Sequence, residues 1–305
     1  MKVLNELSVK DLRLNKKRSI VIIIGIILST ALICGVAGLI TSFQKTFVET
    51  AKNSQGNYHA IFYNVPKDEL KYIEENRSVE DYYLSEEQGY SYLPNVKNLT
   101  STGEEEKPLV NVISMDSKFL DNMAIHIQDG RLPENDSEIV ISTRINEKFK
   151  TNYKVGDTIT LNVGELKGTS ENQNTNYYDE TQIKQTDVTE QMAEDEIINT
   201  TSKTYKIVGI IERPTTIIEP YEADWFTVIT KMQTINKKAN IAVLYTKPND
   251  YVKNTESINQ MVTAKSGTKE NDFNRVSGLD KTYKSYKYKI KINKELLAYQ
   301  GASLD

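Results

Sequence analysis

Residues 19–44, SIVIIIGIILSTALICGVAGLITSFQ, lie between Arg18 and Lys45 and carry no charged side chain. As a helix rising about 1.5 Å per residue this stretch would run about 39 Å, enough to cross a hydrocarbon core of about 30 Å with some tilt. The β-branched run from Ile20 to Ile24 suits a buried strand, but no strand is this long, and hydrocarbon obliges a backbone to satisfy its own hydrogen bonds as a helix. The sequence therefore predicts a transmembrane helix over 19–44 that separates a short head, 1–18, from a long tail, 45–305.

Charge differs in sign across that helix. The head holds Lys2, Lys10, Arg13, Lys16, Lys17 and Arg18 against Glu6 and Asp11, a net of +4, and the remaining 32 basic and 40 acidic residues give the tail a net of −8. Basic flanks stay in the cytoplasm, which places the head inside and residues 45–305 in an extracytoplasmic space. A cleaved signal peptide also begins basic and turns apolar, but its apolar region spans only about 7 to 15 residues. Here Leu39, Ile40 and Phe43 continue the run past the small residues Gly35 to Gly38, which favours an uncleaved helix. Cys34, the single cysteine, lies within the span, and Leu32 and Ile33 before it fit a lipoprotein signal poorly. It reads as a buried thiol, since nothing near it in sequence would activate it. With one cysteine no internal disulfide can form, so the outside portion must rest on its own core, and it is long enough for one or two.

Within the head, Leu4, Leu7 and Leu14 fall near one helical face, interrupted by Lys10 and Asp11. Such an amphipathic helix could lie on the inner membrane surface with its cations near lipid phosphates, and the Lys16 to Arg18 triplet is equally explained as a stop at the headgroups. Gly25, Gly35 and Gly38, with Ser29, Thr30 and Ala31, would let a second helix approach the span closely, although small residues are common in membrane helices.

The tail alternates strand and helix signals, which predicts an α+β fold. The span's helix continues through 45–57, then HAIFYNV (His59 to Val65) reads as a strand, Lys67 to Asn76 as a helix, and Asp81 to Leu93 as one or two tyrosine-rich strands. A polar loop, Lys97 to Pro108, precedes a strand at Leu109 to Met115 and a short helix around Lys118 to Met123. The turn-rich DGRLPENDSEIVIS (Asp129 to Ser142) leads into a strand at Glu138 to Ser142 and a helix over Thr143 to Lys150. YKVGDTITLNV (Tyr153 to Val163), with its Gly-Asp turn and alternating apolar residues, reads as a β-hairpin arm that Tyr205 to Pro214 closes. Between them, 164–203 is so polar that it reads as an inserted, mobile, water-exposed loop with helical character only over Asp187 to Ile198. A short helix and strand over 221–232, a strand at Ala242 to Pro248, a helix at Thr255 to Lys265, a strand through Tyr286 to Ile292 and a helix at Glu295 to Tyr299 complete the chain.

No residue stands out as catalytic, as a metal ligand or as a cofactor contact. His59 and His126 lack partners at metal-ligand spacing and read as packing or surface residues. Ser266, Gly267, Thr268 and Lys269 do not supply a phosphate-loop spacing, and neither G-x-S-x-G nor H-E-x-x-H occurs. The acidic clusters Glu104 to Glu106 and Glu194 to Glu196 read as solvated loop charge rather than cation sites. Sequons begin at Asn76, Asn98, Asn135 and Asn199 and matter only on a eukaryotic secretory route. Eighteen tyrosines against seven phenylalanines point to sheet packing before they point to a binding surface. The acidic tail argues against nucleic acid.

The order of segments also carries a resemblance. A basic, Leu-bearing head ending NKKRS, a span containing ILSTALI (Ile27 to Ile33), then GRLPENDSEIVIS, YKVGDTITL, YKIVGII and a final KELLAYQGASLD together resemble the extracytoplasmic core of FtsX-like permeases, the membrane subunits of MacB-type ABC transporters. The resemblance covers the chain except 164–203. It implies a two-lobed domain over 45–305, with an α+β lobe (Thr46 to Gly130 and Glu222 to Asp305) interrupted by a β-rich lobe (Arg131 to Tyr221). It implies no catalytic residues, an ABC ATPase as a separate partner, a homodimer or pseudo-dimer of permeases, and contact with membrane lipid. Since the family's later spans do not follow, the chain reads as a fragment or truncated product. Two other classes remain: a single-span anchored binding or adhesion module, and, with no motif behind it, an anchored enzyme.

Overall fold

The computed structural model describes residues 15–94, 96, 98–99, 105–106, 108–167, 196–221, 223, 225–266, 274–275 and 285–304. Residues 1–14 of the amphipathic head expected over 1–18, most of the polar loop expected over 97–108, and 168–195 of the expected insertion lie outside the described residues. The chain divides into two units, Met1–Glu49 and Thr50–Asp305.

The first unit is the membrane-length stretch, in a single α-helix, α1 (Lys16–Gln55), that runs on into the second unit. Its apolar side chains point outward all round, with Leu28 65% and Leu32 69% exposed. A helix uncovered on every face is stable only in hydrocarbon, and its length and composition suffice to cross a membrane. Its hydroxyls are spent on its own backbone: Ser29 Oγ donates to the Gly25 carbonyl at 2.8 Å and Thr30 Oγ1 to that of Ile26 at 2.8 Å. That back-bonding removes the cost of polar groups in lipid. Gly56, at φ 99°, ends the helix, since the left-handed conformation that terminates it suits a residue without Cβ.

In the second unit, ten strands share one hydrogen-bonded sheet. They are β1 (Ala60–Pro66), β2 (Val79–Tyr92), β3 (Leu109–Met115), β4 (Ile127–Gly130), β5 (Glu138–Ser142), β6 (Thr158–Leu166), β7 (Ile197–Ile211), β8 (Phe226–Lys231), β9 (Lys238–Tyr245) and β10 (Ile290–Ile292). The order is β10-β1-β9-β2-β3-β8-β5-β7-β4, with β6 joined to both β7 and β2. Only β3–β8 and β5–β7 run parallel. Five helices follow the strands: α2 (Leu70–Glu74), α3 (Ser117–Asn122), α4 (Thr143–Phe149), α5 (Tyr251–Ser266) and α6 (Lys294–Tyr299). The fold is α+β.

Both faces of the open part of the sheet are covered, which is why β3 and β9 read as near-continuous apolar runs. On one face Phe62, Ile241 and Val243 pack with Ile73 of α2, Ile258 and Val262 of α5 and Leu297 of α6. On the other, Ile61, Tyr83 and Met115 pack with Phe119 and Leu120 of α3 and with Ile217 and Ile218 of the segment before β8. Further along, β2, β3, β8, β5, β7 and β6 form a closed circuit around a third core of Val110, Val112, Ile139, Leu161, Ile207 and Val228. Helix α4 adds Ile145 and Phe149 to that core, and the Phe149 ring meets Phe226 edge-on at 5.1 Å.

The circuit closes at one residue pair, Tyr90 opposite Gly164. A Cβ on Gly89, whose φ is 127°, would run into the Gly164 carbonyl, and one on Gly164 would run into the carbonyl of Ile198. Two glycines therefore let three strands approach where side chains would hold them apart.

Several expectations need correction. The Gly156-Asp157 turn leads into β6, and Tyr205 and Lys206 pair with Ile159 and Thr158 as the expected arm requires, but the closing strand β7 begins earlier, at Ile197. Residues 164–166 and 197–203, expected in a loop, belong to these strands, and Ile197 and Ile198, expected in a helix, pair with Leu166 and Glu165. There the backbone ladder decides, because most of these side chains are exposed and no core face marks the period. The expected helix near 221 is absent among the described residues, and the expected strand through 286–292 is broken between Tyr286 and Ile290.

Candidate functional site

Where α1 ends, the residues after Glu49 are held by segments distant in sequence. The exposed His126 donates from Nε2 to the Asn53 carbonyl at 2.9 Å. Asn57 donates from its backbone to the Asn122 carbonyl at 2.7 Å and from Nδ2 to Asn122 Oδ1 at 3.0 Å. Asn293 donates from Nδ2 to the Gly56 carbonyl at 3.1 Å while its own Oδ1 caps α6 by accepting from Leu296 N at 3.1 Å. Ala51 is fully buried, and Gly56 sits so close to Met123 that a Cβ there would stand 3.1 Å from the sulfur. The foot of the helix is thus clamped by the ends of α3 and α6.

His59 extends the clamp. Its Nδ1 accepts from the Tyr245 backbone N–H at 2.7 Å, so Nε2 carries the proton and donates to Gln300 Oε1 at 2.8 Å. Both nitrogens are occupied by a neutral ring, and burial lowers its pKa to about 4, with the Gln300 hydrogen bond acting against that and the Lys52 charge with it. Helix α6 is consequently gripped at both ends, through Asn293 and Gln300. Residues 293–300 stand beside 56–59 although they are at opposite ends of the unit, as the Asn293 N to His59 O bond of 3.0 Å also records.

A second polar cluster fixes the segment that crosses the sheet before β8. Glu219, fully buried, is ion-paired to Arg144 of α4, lies 3.4 Å from Arg213 Nε and accepts from Thr227 N at 3.0 Å. Arg213 also stacks on the Tyr221 ring at 4.4 Å. A carboxylate held by two guanidiniums and an amide can be buried without being orphaned.

Held there, Ile217 and Ile218 roof a small open pocket, with about 40 Å3 accessible to water, on the sheet face they cover. Ile61, Ile113, Met115 and Phe119 complete its apolar part. Its polar part is Tyr63, Ser85, Glu87, Asn111 and Asn240, with no basic side chain. Glu87 touches water yet sits deep in protein mass, which raises its carboxyl above the usual range while hydrogen bonds from Asn111 and Tyr90 draw it back.

The residues weighed in the sequence fall outside these features, except the two histidines. His59 and His126 both join the clamp, 67 positions apart and through partners distant in sequence that no spacing rule would reveal. Cys34 is exposed on the span, and among the described residues no group of three or more His, Cys, Asp or Glu is placed to hold a metal. Asn76, a sequon position, is buried with its Oδ1 accepting from Ser78 N at 2.9 Å.

No curated protein matches the chain. Among solved structures it is similar to the extracellular domain of the noncanonical ABC-type transporter YknZ from Gram-positive bacteria, at 12% identity over 70% of this chain and 97% of that one, with a TM-score of 0.40. It is also similar to a domain of a putative permease protein from Porphyromonas gingivalis, at 9% identity over 69% of this chain and 81% of that one, with a TM-score of 0.35. The family model of the MacB-like periplasmic core domain matches residues 19–275. On that match, which takes in the membrane-length helix and most of the sheet, the chain belongs to the MacB-like periplasmic core domain family of MacB/FtsX-like permeases.

Proposed function

We propose that this chain transmits movement across a membrane as the permease component of an ABC transporter, with its N-terminus cytoplasmic and residues 45–305 outside. One observation carries the reading: residues 56–59 and 293–300 are hydrogen-bonded to each other at the foot of α1. A domain inserted between two membrane crossings needs its entering and leaving segments at one place. The uninterrupted helix Lys16–Gln55 supplies a rod, and the clamp on residues 51–57 supplies its grip on the sheet. In this reading an ABC ATPase, on a separate polypeptide, closes on nucleotide and displaces the rod. Paired permeases then change the posture of their outer domains to export, release or sense a peptide, lipid or lipoprotein.

The test is co-purification of the full-length protein with the ATPase encoded beside it, followed by gel filtration and nucleotide hydrolysis. The expected result is a stable complex whose hydrolysis responds to N57A and N293A while association is unchanged. Failure to associate with any ATPase overturns the reading. The alternative, an anchored binding module working alone, draws support from the pocket beneath Ile217 and Ile218 and predicts ligand binding with no ATPase response.

A further inference from the structure

We propose that this pocket binds an aliphatic group bearing an ammonium, such as the first residue of a polypeptide with a branched side chain. The inference does not rest on any ATPase. Its chemistry follows from what the walls offer and lack. Asn111 is 3% exposed, and its Oδ1 has no hydrogen-bond partner among the described residues. The orientation of that amide is set by Glu87, to which it is hydrogen-bonded. A carboxylate only accepts, so the NH2 group faces Glu87 and the carbonyl oxygen is left over. A buried acceptor left unmet costs about 1–3 kcal/mol, so the site favours an incoming donor.

Glu87 lies on the same wall with its side chain in contact with water, which puts a negative charge at the mouth. With no Lys, Arg or His in the lining, a carboxylate or phosphate would meet repulsion with nothing to offset it. A cationic donor instead meets a charged acceptor and a buried neutral one. Beyond these, Ile61, Ile113, Met115, Ile217 and Ile218 offer a surface that only an apolar group would fill. The pocket is small and open-mouthed, so it takes at most one side-chain-sized group rather than a folded partner.

The pocket is also held open from outside its own walls. Ile217 and Ile218 stay over the sheet because Glu219, the next residue, is anchored to Arg144, Arg213 and Thr227 N. A roof fixed by a buried ion cluster cannot simply collapse onto the floor, which is the usual way an apolar gap is lost.

The experiment is calorimetric titration of the full chain in lipid nanodiscs with L-leucinamide, with N-acetyl-L-leucinamide and with the tripeptide Leu-Ala-Ala. Leucinamide is expected to bind saturably, and acetylation, which removes the charge, to weaken binding by about tenfold or more. E87Q, which keeps the size of the side chain, is expected to stay folded and to lose the same factor. Binding of Leu-Ala-Ala as tightly as leucinamide identifies a polypeptide end as the ligand's source; its exclusion identifies a free amine. The proposal is overturned by absent saturable binding, by equal binding of the acetylated probe, or by an E87Q protein with unchanged affinity.

Discussion

At the scale of single residues, protonation and desolvation decide what the clamp tolerates. His59 is held neutral with a folded-state pKa of about 4 against an ordinary value near 6.5. Between those values the unfolded chain binds a proton that the folded chain refuses, so stability from this residue is complete above about pH 6.5 and is lost as pH falls towards 4, amounting to about 3 kcal/mol. The melting temperature should therefore drop between pH 7.5 and pH 4.5 by more in the wild type than in H59Q; equal drops would remove His59 from the account. Glu219 poses the opposite problem, a charge kept buried by its partners. E219A strands two half-buried guanidiniums and should cost about 3–5 kcal/mol of unfolding free energy, measured by denaturant titration. A loss below 1 kcal/mol would show that the cluster does not hold the 215–221 segment.

Elements show where sequence patterns were sufficient and where they failed. Strands Leu109–Met115 and Glu138–Ser142 were legible to the residue because burial on both faces left near-continuous apolar runs bounded by polar turns. Residues 197–203 were not, since an exposed ladder leaves no face to mark its period. The closed circuit was illegible for a different reason: it turns on Gly89, which the sequence places within a strand, and Gly164, which it places at the edge of a polar stretch. G164A should destabilise the protein by about 2–4 kcal/mol through backbone collision, seen as a lowered denaturation midpoint, whereas G156A, whose Cβ would meet nothing within 4 Å, should be limited to the strain of its positive φ. Equal effects would deny that the seam is tight. The clamp was hidden by distance along the chain, since His59 reaches Tyr245 and Gln300 across 186 and 241 positions. N57A and N293A should each loosen it by about 1–2 kcal/mol and speed hydrogen exchange over 50–57 ahead of the sheet, while unchanged exchange would leave the foot without its grip.

For the whole molecule, the length and composition of α1 and the family membership point one way: a membrane permease with an extracytoplasmic segment. The uncharged run was the strongest signal in the sequence because hydrocarbon admits so few alternatives, and the pocket the weakest because its walls come from four strands, a helix and a loop. Orientation is the claim on which the transport reading depends. Its direct test places one cysteine at Lys17 or at Lys253, whose side chain is 82% exposed, in a protein carrying C34S, and labels intact cells with a membrane-impermeant maleimide. The account predicts that K253C is labelled in intact cells and K17C only after permeabilisation. Labelling of K17C in intact cells, with K253C protected, would contradict it.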